Sequence, residues 1–209
     1  MLAWYVAALC KYSRGDLIDL GSGNAPLAGI YLPLVDSVTW ADWAETTHRE
    51  VQLDCEVDLN KDFPFEDQSF DTIILSDVIE HIAEPNALFS EIYRILRPGG
   101  HIIIGVPFMY WIHEEPHDHF RYTRFALKRM GQKCGVQVIE TSEVGGGLDV
   151  IQDVTCKLLA AKARPLAYAA YHFFRAVGAL PGVKGLNKQA MQKMPLGYGA
   201  IFNKAAVDG

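Results

Sequence analysis

The chain has 209 residues, half of them hydrophobic, enough for one sizeable core, and it fits a single domain, 1–209, better than two. A formal net charge of -6 argues against a broad electrostatic footprint for DNA or RNA, so no nucleic-acid partner is expected. Cys10, Cys55, Cys134 and Cys156 are scattered, with no CxxC pair and none of the paired spacing of a structural zinc site, which makes a reducing cytoplasm the expected compartment.

The opening MLAWYVAALC is apolar but has no basic n-region, and it reads as a packing helix rather than a signal peptide. DLIDLGSGNAPLAG follows at 16–29. Leu17, Ile18 and Leu20 read as a buried parallel strand, and Gly21 and Gly23 let the backbone turn where a side chain would collide with a ligand. Asn24, Ala25 and Pro26 lead into a helix, and the N–H groups at such a turn favour an anionic or polar cofactor fragment. GSGNA lacks the third glycine of GxGxxG and no GK[ST] follows, which weakens both nucleotide readings and leaves a plain tight turn as the alternative.

Ser37 to Ala41 reads as a second strand ending at Asp42, about where an acid meets a ribose in nucleotide-binding α/β folds. Val51 to Val57 leads to Asp58, and Phe70 to Leu75 ends at Ser76 and Asp77. Taken singly these acids are a turn residue, an Asx-turn former and a cap. Pro85 to Leu96 has helical spacing, RPGG at 97–100 stops it, and His101 to Val106 is a buried strand. Thr123 is the expected N-cap of a helix from Arg124 to Cys134, with Gly135 as its stop. Val136 to Val144 and Gly197 to Lys204 supply the last strands, giving a doubly wound α/β sheet.

Between those two strands, residues 145–195 read mainly as helix from Leu148 to about Ala179, followed by a Gly/Pro-punctuated loop. Leu166, Ala170, Phe173, Val177 and Leu180 form one apolar stripe, read as core packing, with a substrate lid or lipid-contacting face as the alternative. Pro165 to Leu180 is too short to span a bilayer and is interrupted by His172 and Arg175, so no membrane span is expected.

DLIDLGSGNAPLAG, the acid in TWADWAE, the segment CEVDLNKDFPFEDQSFDTIILSDVIEHI and LRPGGHIIIGVP together resemble the class I S-adenosylmethionine-dependent methyltransferases over residues 15–145. The resemblance implies a Rossmann-like seven-stranded sheet whose last strand, GYGAIFNKA, runs antiparallel, with S-adenosylmethionine as cofactor. It implies that Asp19, Gly21 and Gly23 embrace the methionine portion of the cofactor, that Asp42 accepts from the ribose hydroxyls, and that Asp58 reads the adenine amino group with Leu59 against the ring. Ser76 and Asp77 fall where the family holds the methionine amino end. Ala25 stands in place of the frequent third glycine.

PFMYWIHEEPHDHFRYTRFAL after the fifth strand is dense in titratable side chains and looks like a string found in bacterial methyltransferases of cell-envelope biosynthesis. Three readings stay open. His117 or His113 is a general base, oriented by Asp118 or a nearby Glu; or the His, Asp and Arg side chains form a network pinning the loop; or His113, His117 and His119 bind a metal with Asp118 or Glu114. The last lacks HExxH or other established spacing, so no metal is expected. His81 reads as a support for the loop, and Trp4, Trp40, Trp43 and Trp111 as packing residues.

The resulting expectation is a methyltransferase acting by direct displacement on a small molecule or a saccharide, a lipid-linked one included, most readily at oxygen. Its rivals are a cofactor-binding regulatory partner that catalyses nothing and a nicotinamide-dependent oxidoreductase, to which the missing GxGxxG is the main objection. Oligomeric state and acceptor are not encoded in any motif of the chain.

Overall fold

The computed structural model describes residues 1–44 and 52–206. Helix α1, Leu2–Tyr12, buries Tyr5, Ala8 and Leu9 at helical spacing. Seven strands follow, β1 Asp16–Leu20, β2 Ser37–Asp42, β3 Cys55–Glu56, β4 Phe70–Ser76, β5 Leu96–Pro107, β6 Gln137–Val144 and β7 Gly197–Asn203. They form one sheet in the order β3-β2-β1-β4-β5-β7-β6, parallel except for β7, which is antiparallel to both β5 and β6. This is the expected α/β, Rossmann-like doubly wound sheet with an antiparallel last strand.

Adjacent residues of the central strands point to opposite faces, and each face has its own core. Leu17, Ile74, Ile103 and Ile201 join Tyr5, Leu9 and Tyr31 on one side. Ile18, Ile73, Ile102 and Phe202 join Leu88, Ile92 and Leu127 on the other. Burial on both faces is why these strands read as continuous apolar runs rather than as alternation.

Helices α3 Pro85–Ile95 and α4 Arg124–Cys134 lie where the sequence puts them. The Thr123 hydroxyl accepts from the Ala126 N–H at 3.2 Å, and Gly135 ends α4 at φ +89°. Helix α2 is short, Ala28–Tyr31, and runs into a 3-10 turn, Leu32–Leu34. The expected strand from Val51 shrinks to Cys55–Glu56, Val51 itself lying outside the described residues, as does Glu45 of TWADWAE. RPGG stops α3 as expected but also opens β5, whose pairing with β4 shifts register between Phe70 and Thr72.

The insertion differs from expectation in two ways. It comprises three helices, α5 Gly147–Ala160, α6 Arg164–Ala179 and α7 Pro181–Met191, so the segment read as a loop is helical, with Pro181 in the first turn, where a missing N–H costs nothing. The apolar stripe is also not core: Leu166, Phe173 and Leu180 are 58%, 62% and 55% exposed. Helix α6 packs on α5. Its half-buried side is Ala163, Ala167, Ala170, Phe174 and Val177, which shares Ala170 and Val177 with the stripe and leaves the stripe's three larger side chains outside.

Two alanine substitutions separate the rigid from the open parts of this fold. A Cβ at Gly100 would lie 2.9 Å from the backbone oxygens of Arg97 and Asp71, so Gly100→Ala is expected to destabilise by about 1–3 kcal/mol. At Gly185, inside α7, nothing lies within 4 Å, so Gly185→Ala is expected to stabilise by about 0.5–1 kcal/mol. Urea unfolding midpoints moving the same way in both variants would contradict this packing.

Candidate active site

Strands β1 to β4 run parallel, so their C-terminal ends share one edge of the sheet in the spatial order β3, β2, β1, β4. With neighbouring strands about 4.8 Å apart, the row from Asp58 past Asp42 and Gly21 to Asp77 covers about 14 Å. Gly21 has φ +70° and donates to the Ala41 oxygen at 2.8 Å; a Cβ there would lie 2.6 Å from Val78. Only glycine fits both conditions. Gly23, at φ +52°, donates to Asp42 Oδ2 at 3.0 Å, while Asp42 Oδ1 accepts from the Trp43 N–H at 2.8 Å. The acid ending β2 therefore fastens the glycine turn ending β1. Between the glycines, the Ser22 hydroxyl is buried without a hydrogen-bond partner among the described residues.

Asp58 Oδ1 accepts from the Asn60 N–H at 3.0 Å, an Asx turn, and its other oxygen pairs with Lys61 at 2.9 Å. Those contacts, Lys61 first, hold its carboxyl below the ordinary range. Leu59 is buried in the core with Val57 and Phe63. Asp19 is 2% exposed and faces Tyr31, whose hydroxyl donates to Asp19 Oδ2 at 2.9 Å and accepts from Trp40 Nε1 at 2.9 Å. Burial pushes the Asp19 carboxyl up to about 7.

At the end of β4, Asp77 adopts φ +55°, a conformation costly for a non-glycine residue, and its N–H donates to the Gly105 oxygen at 3.0 Å. Tyr5 of α1 donates to Asp77 Oδ2 at 3.4 Å, across the space that Gly105 leaves by having no side chain. Ser76 is half-buried beside them. Burial raises the Asp77 carboxyl. It borders a cleft of about 230 Å³ lined also by Met1, Pro107, Tyr110, His113 and Leu196.

The loop after β5 is latched to the 3-10 turn Ile79–His81. The N–H groups of His119 and Phe120 donate to the Glu80 oxygen at 2.9 and 3.2 Å, Tyr122 Oη donates to the Ile79 oxygen at 3.3 Å, and His81 Nδ1 lies 3.2 Å from the His117 oxygen. Within the loop, the Asp118 side chain is 2% exposed and accepts from the His113 N–H at 2.9 Å and from both Arg121 nitrogens at 2.5 and 2.7 Å. This bidentate pairing holds the Asp118 carboxyl well below the usual carboxylate range. Asp118 Oδ2 also stands 3.3 Å from His113 Nδ1, a close approach without the alignment of a hydrogen bond.

Of the loop residues singled out in the sequence, His113 faces the cleft and Asp118 stands behind it. His117 is exposed and packs edge-on against Trp43, outside the cleft lining. His81 supports the loop through His117, as expected. Glu80 was missed altogether. It is fully buried, burial pushes its carboxyl up to about 9, and neither of its side-chain oxygens finds a hydrogen-bond partner among the described residues. The available signal was an acid flanked by apolar residues in DVIEHI with no cation beside it except His81.

Comparison with known proteins agrees with this fold. Residues 18–104 match the family described as methyltransferase domain. The ubiquinone/menaquinone biosynthesis C-methyltransferase of Geotalea daltonii is 34% identical over 109 residues, 45% of this chain and 46% of that protein. The ubiquinone biosynthesis O-methyltransferase of Xanthomonas oryzae is 27% identical over 111 residues, 48% of this chain and 46% of that protein. The chain thus spans less than half the length of the curated relatives it matches. The structure of Haemonchus contortus phosphoethanolamine N-methyltransferase 2 in complex with S-adenosyl-L-methionine superposes with a TM-score of 0.59 at 19% identity, covering 97% of this chain and 52% of that one.

Two of the shifted carboxyls, Asp118 and Asp19, give opposite pH signatures. Asp118, depressed by Arg121, stabilises the fold above about pH 4, and that contribution is lost as pH falls below it. Asp118→Asn is expected to cost about 1.5–3 kcal/mol at neutral pH and to flatten the acid limb of the stability curve. Asp19, raised to about 7, keeps its proton in the folded state while the unfolded chain loses it near 4, so it removes stability as pH rises from about 4 to about 7. Asp19→Asn should therefore gain on the wild type across that interval in urea titrations; parallel curves would refute the assignment.

Proposed function

We propose that this chain, which carries a class I S-adenosylmethionine-dependent methyltransferase domain, transfers the methyl group of S-adenosylmethionine to an oxygen of a small molecule or saccharide, a lipid-linked one included. One observation carries the reading: a glycine turn and the acids Asp42, Asp58 and Asp77 stand in order on four neighbouring strand ends. The residues fit the cofactor. Gly21 and Gly23 keep the turn free of side chains, Ser22 holds an unpartnered hydroxyl there, and Asp42 has a carboxylate at the strand end where a ribose diol would be met.

When bound, the cofactor supplies a sulfonium-activated methyl group. The chain's own work is alignment and exclusion of water. Asp42 holds the glycine turn open by fixing Gly23 and Trp43, Asp58 stands at the adenine end of the row, and Asp77 with Tyr5 stands at the methionine end. Asp19, closed off by Tyr31, acts by bracing the turn from behind the sheet edge. On the acceptor side, His113 is the loop residue on which loss of the hydroxyl proton depends, with Asp118, clamped by Arg121, holding its backbone N–H.

The reading of a lipid-linked acceptor draws on the insertion. Between Asp153 and Asp208 the sequence has no Asp or Glu but eight Lys and Arg. The same stretch exposes Leu158, Leu166, Tyr168, Phe173 and Leu186. Basic charge beside exposed apolar and aromatic side chains suits an acceptor with an anionic head and an apolar tail. No helix among the described residues is long and apolar enough to cross a membrane.

Calorimetric titration with S-adenosylhomocysteine should show one site per chain, weakened about 10- to 100-fold in Asp42→Ala by loss of charged hydrogen bonds. Absence of binding by the folded wild type would sink the proposal. With an acceptor in hand from a turnover screen, His113→Ala should lower kcat by about 10²–10⁴, while His117→Ala, outside the cleft, should change it less than about tenfold. The reverse ranking would move the acceptor to the Trp43 side.

A further inference from the structure

Glu80 presents a problem that the loop latch does not solve. Its backbone oxygen accepts two hydrogen bonds, but its side chain is 0% exposed and both carboxylate oxygens lack a hydrogen-bond partner among the described residues. An unmade hydrogen bond at a buried carboxyl is among the costlier defects a fold can carry, and a native structure that retains one needs a reason. Two imidazoles converge on the same oxygen. His81 Nε2 lies 3.7 Å and His113 Nε2 3.8 Å from Glu80 Oε1, and the two rings are 4.7 Å apart between centroids. One ligand atom from each residue lies within 4.8 Å of those of the others. These separations are too long for hydrogen bonds. They approach the spacing of about 3.4 Å between ligand atoms that share a tetrahedral ion at 2.0–2.2 Å.

We propose that Glu80, His81 and His113 form a binding site for a divalent transition-metal ion at the wall of the acceptor cleft.

The surroundings of the two histidines support the assignment. A metal-ligating imidazole directs its other nitrogen to a carbonyl or carboxylate, which fixes the tautomer. His81 directs Nδ1 to the His117 carbonyl oxygen, while His113 Nδ1 lies 3.3 Å from Asp118 Oδ2 without the alignment of a hydrogen bond. Both Nε2 atoms are thereby left facing Glu80. Glu114 adds a further carboxylate 3.8 Å from His81 Nε2. Two imidazoles and a carboxylate suit Zn²⁺, Co²⁺, Mn²⁺ or Fe²⁺ rather than Mg²⁺ or Ca²⁺, which take oxygen ligands. Three protein ligands leave a coordination position open, and His113 lines the cleft into which it would face.

The site stands on these residues alone; its role rests on the methyl-transfer reading above. An ion there would bind the acceptor oxygen and make its hydroxyl acidic at neutral pH. The proton passes to solvent water, the oxygen lone pair takes the methyl carbon, and the electron pair of the broken S–C bond stays on sulfur. His113 would then act as a ligand, and its loss would still abolish deprotonation of the acceptor.

The test uses the full chain, stripped with a chelator, dialysed, and titrated with Zn²⁺ and Co²⁺ by calorimetry. One ion per chain is expected, with visible Co²⁺ bands of a four- or five-coordinate site. Glu80→Gln and His113→Ala should each weaken binding by more than the roughly 10- to 100-fold that losing an outer partner costs. His113 is partly exposed, so its variant, checked for folding by circular dichroism, serves if Glu80→Gln unfolds. Failure of both ions to bind, or binding unchanged in the folded His113→Ala protein, would overturn the site. S-adenosylhomocysteine titrated into the same stripped protein keeps the two ideas apart: binding there without binding of either ion removes the metal site and leaves the methyl-transfer reading standing.

Discussion

The loop after β5 has no regular structure of its own, and what gives it a definite position is its attachment to the turn after β4. Two backbone N–H groups on the Glu80 oxygen, a tyrosine hydroxyl on the Ile79 oxygen and the His81 ring against the His117 oxygen make that attachment. Each is worth only about 1 kcal/mol net, but together they leave the segment few alternatives. The consequences reach the cleft. Asp77, two residues before the turn, and His113, inside the loop, both line it. The distance between Asp77 and His113 is thus set by this attachment.

A second constraint works from behind the sheet edge. Trp40, Tyr31 and Asp19 form a chain of two hydrogen bonds in which an indole N–H on β2 donates to a hydroxyl on α2, which donates to an acid of β1. On the front, Asp42 of β2 returns to Gly23 after β1. The first two strands are therefore tied twice, and one of the ties holds the glycine turn. A turn built from residues at positive φ has little intrinsic preference for one shape, and these ties supply it.

What could be read in the sequence was whatever depends on local chemistry. Gly21 and Gly23 announce a turn because few other residues tolerate positive φ, Thr123 announces a helix start because its hydroxyl meets an N–H three residues on, and acids at strand ends repeat a spacing set by the sheet. What could not be read depends on partners distant in the chain. Helical spacing marked Leu166, Phe173 and Leu180 as one face of α6 but could not say that α5 would cover the alanine side instead. Gly182 and Gly185 argued for a loop, yet the helix forms across them because Pro181 starts it and no neighbour obstructs it. Glu80 looked like an ordinary charged residue of DVIEHI; only the packing of Tyr122 and the loop over it turns it into a sealed carboxyl. His113 and His117, four apart in an irregular loop, were equivalent by sequence and are separated by the turn between them.

The uneven distribution of charge along the chain has a consequence of its own. All 25 acidic residues lie outside the segment between Asp153 and Asp208, while eight of the 19 Lys and Arg lie within it. A body charged in this way carries a large electric dipole moment with its positive pole on the three inserted helices. Such a dipole exerts a torque on the molecule in the field of a polyanionic surface and turns the insertion toward it before contact, over distances of about one Debye length, 8 Å at physiological ionic strength. Net acidity therefore does not imply repulsion from anionic surroundings; it makes the approach one-sided.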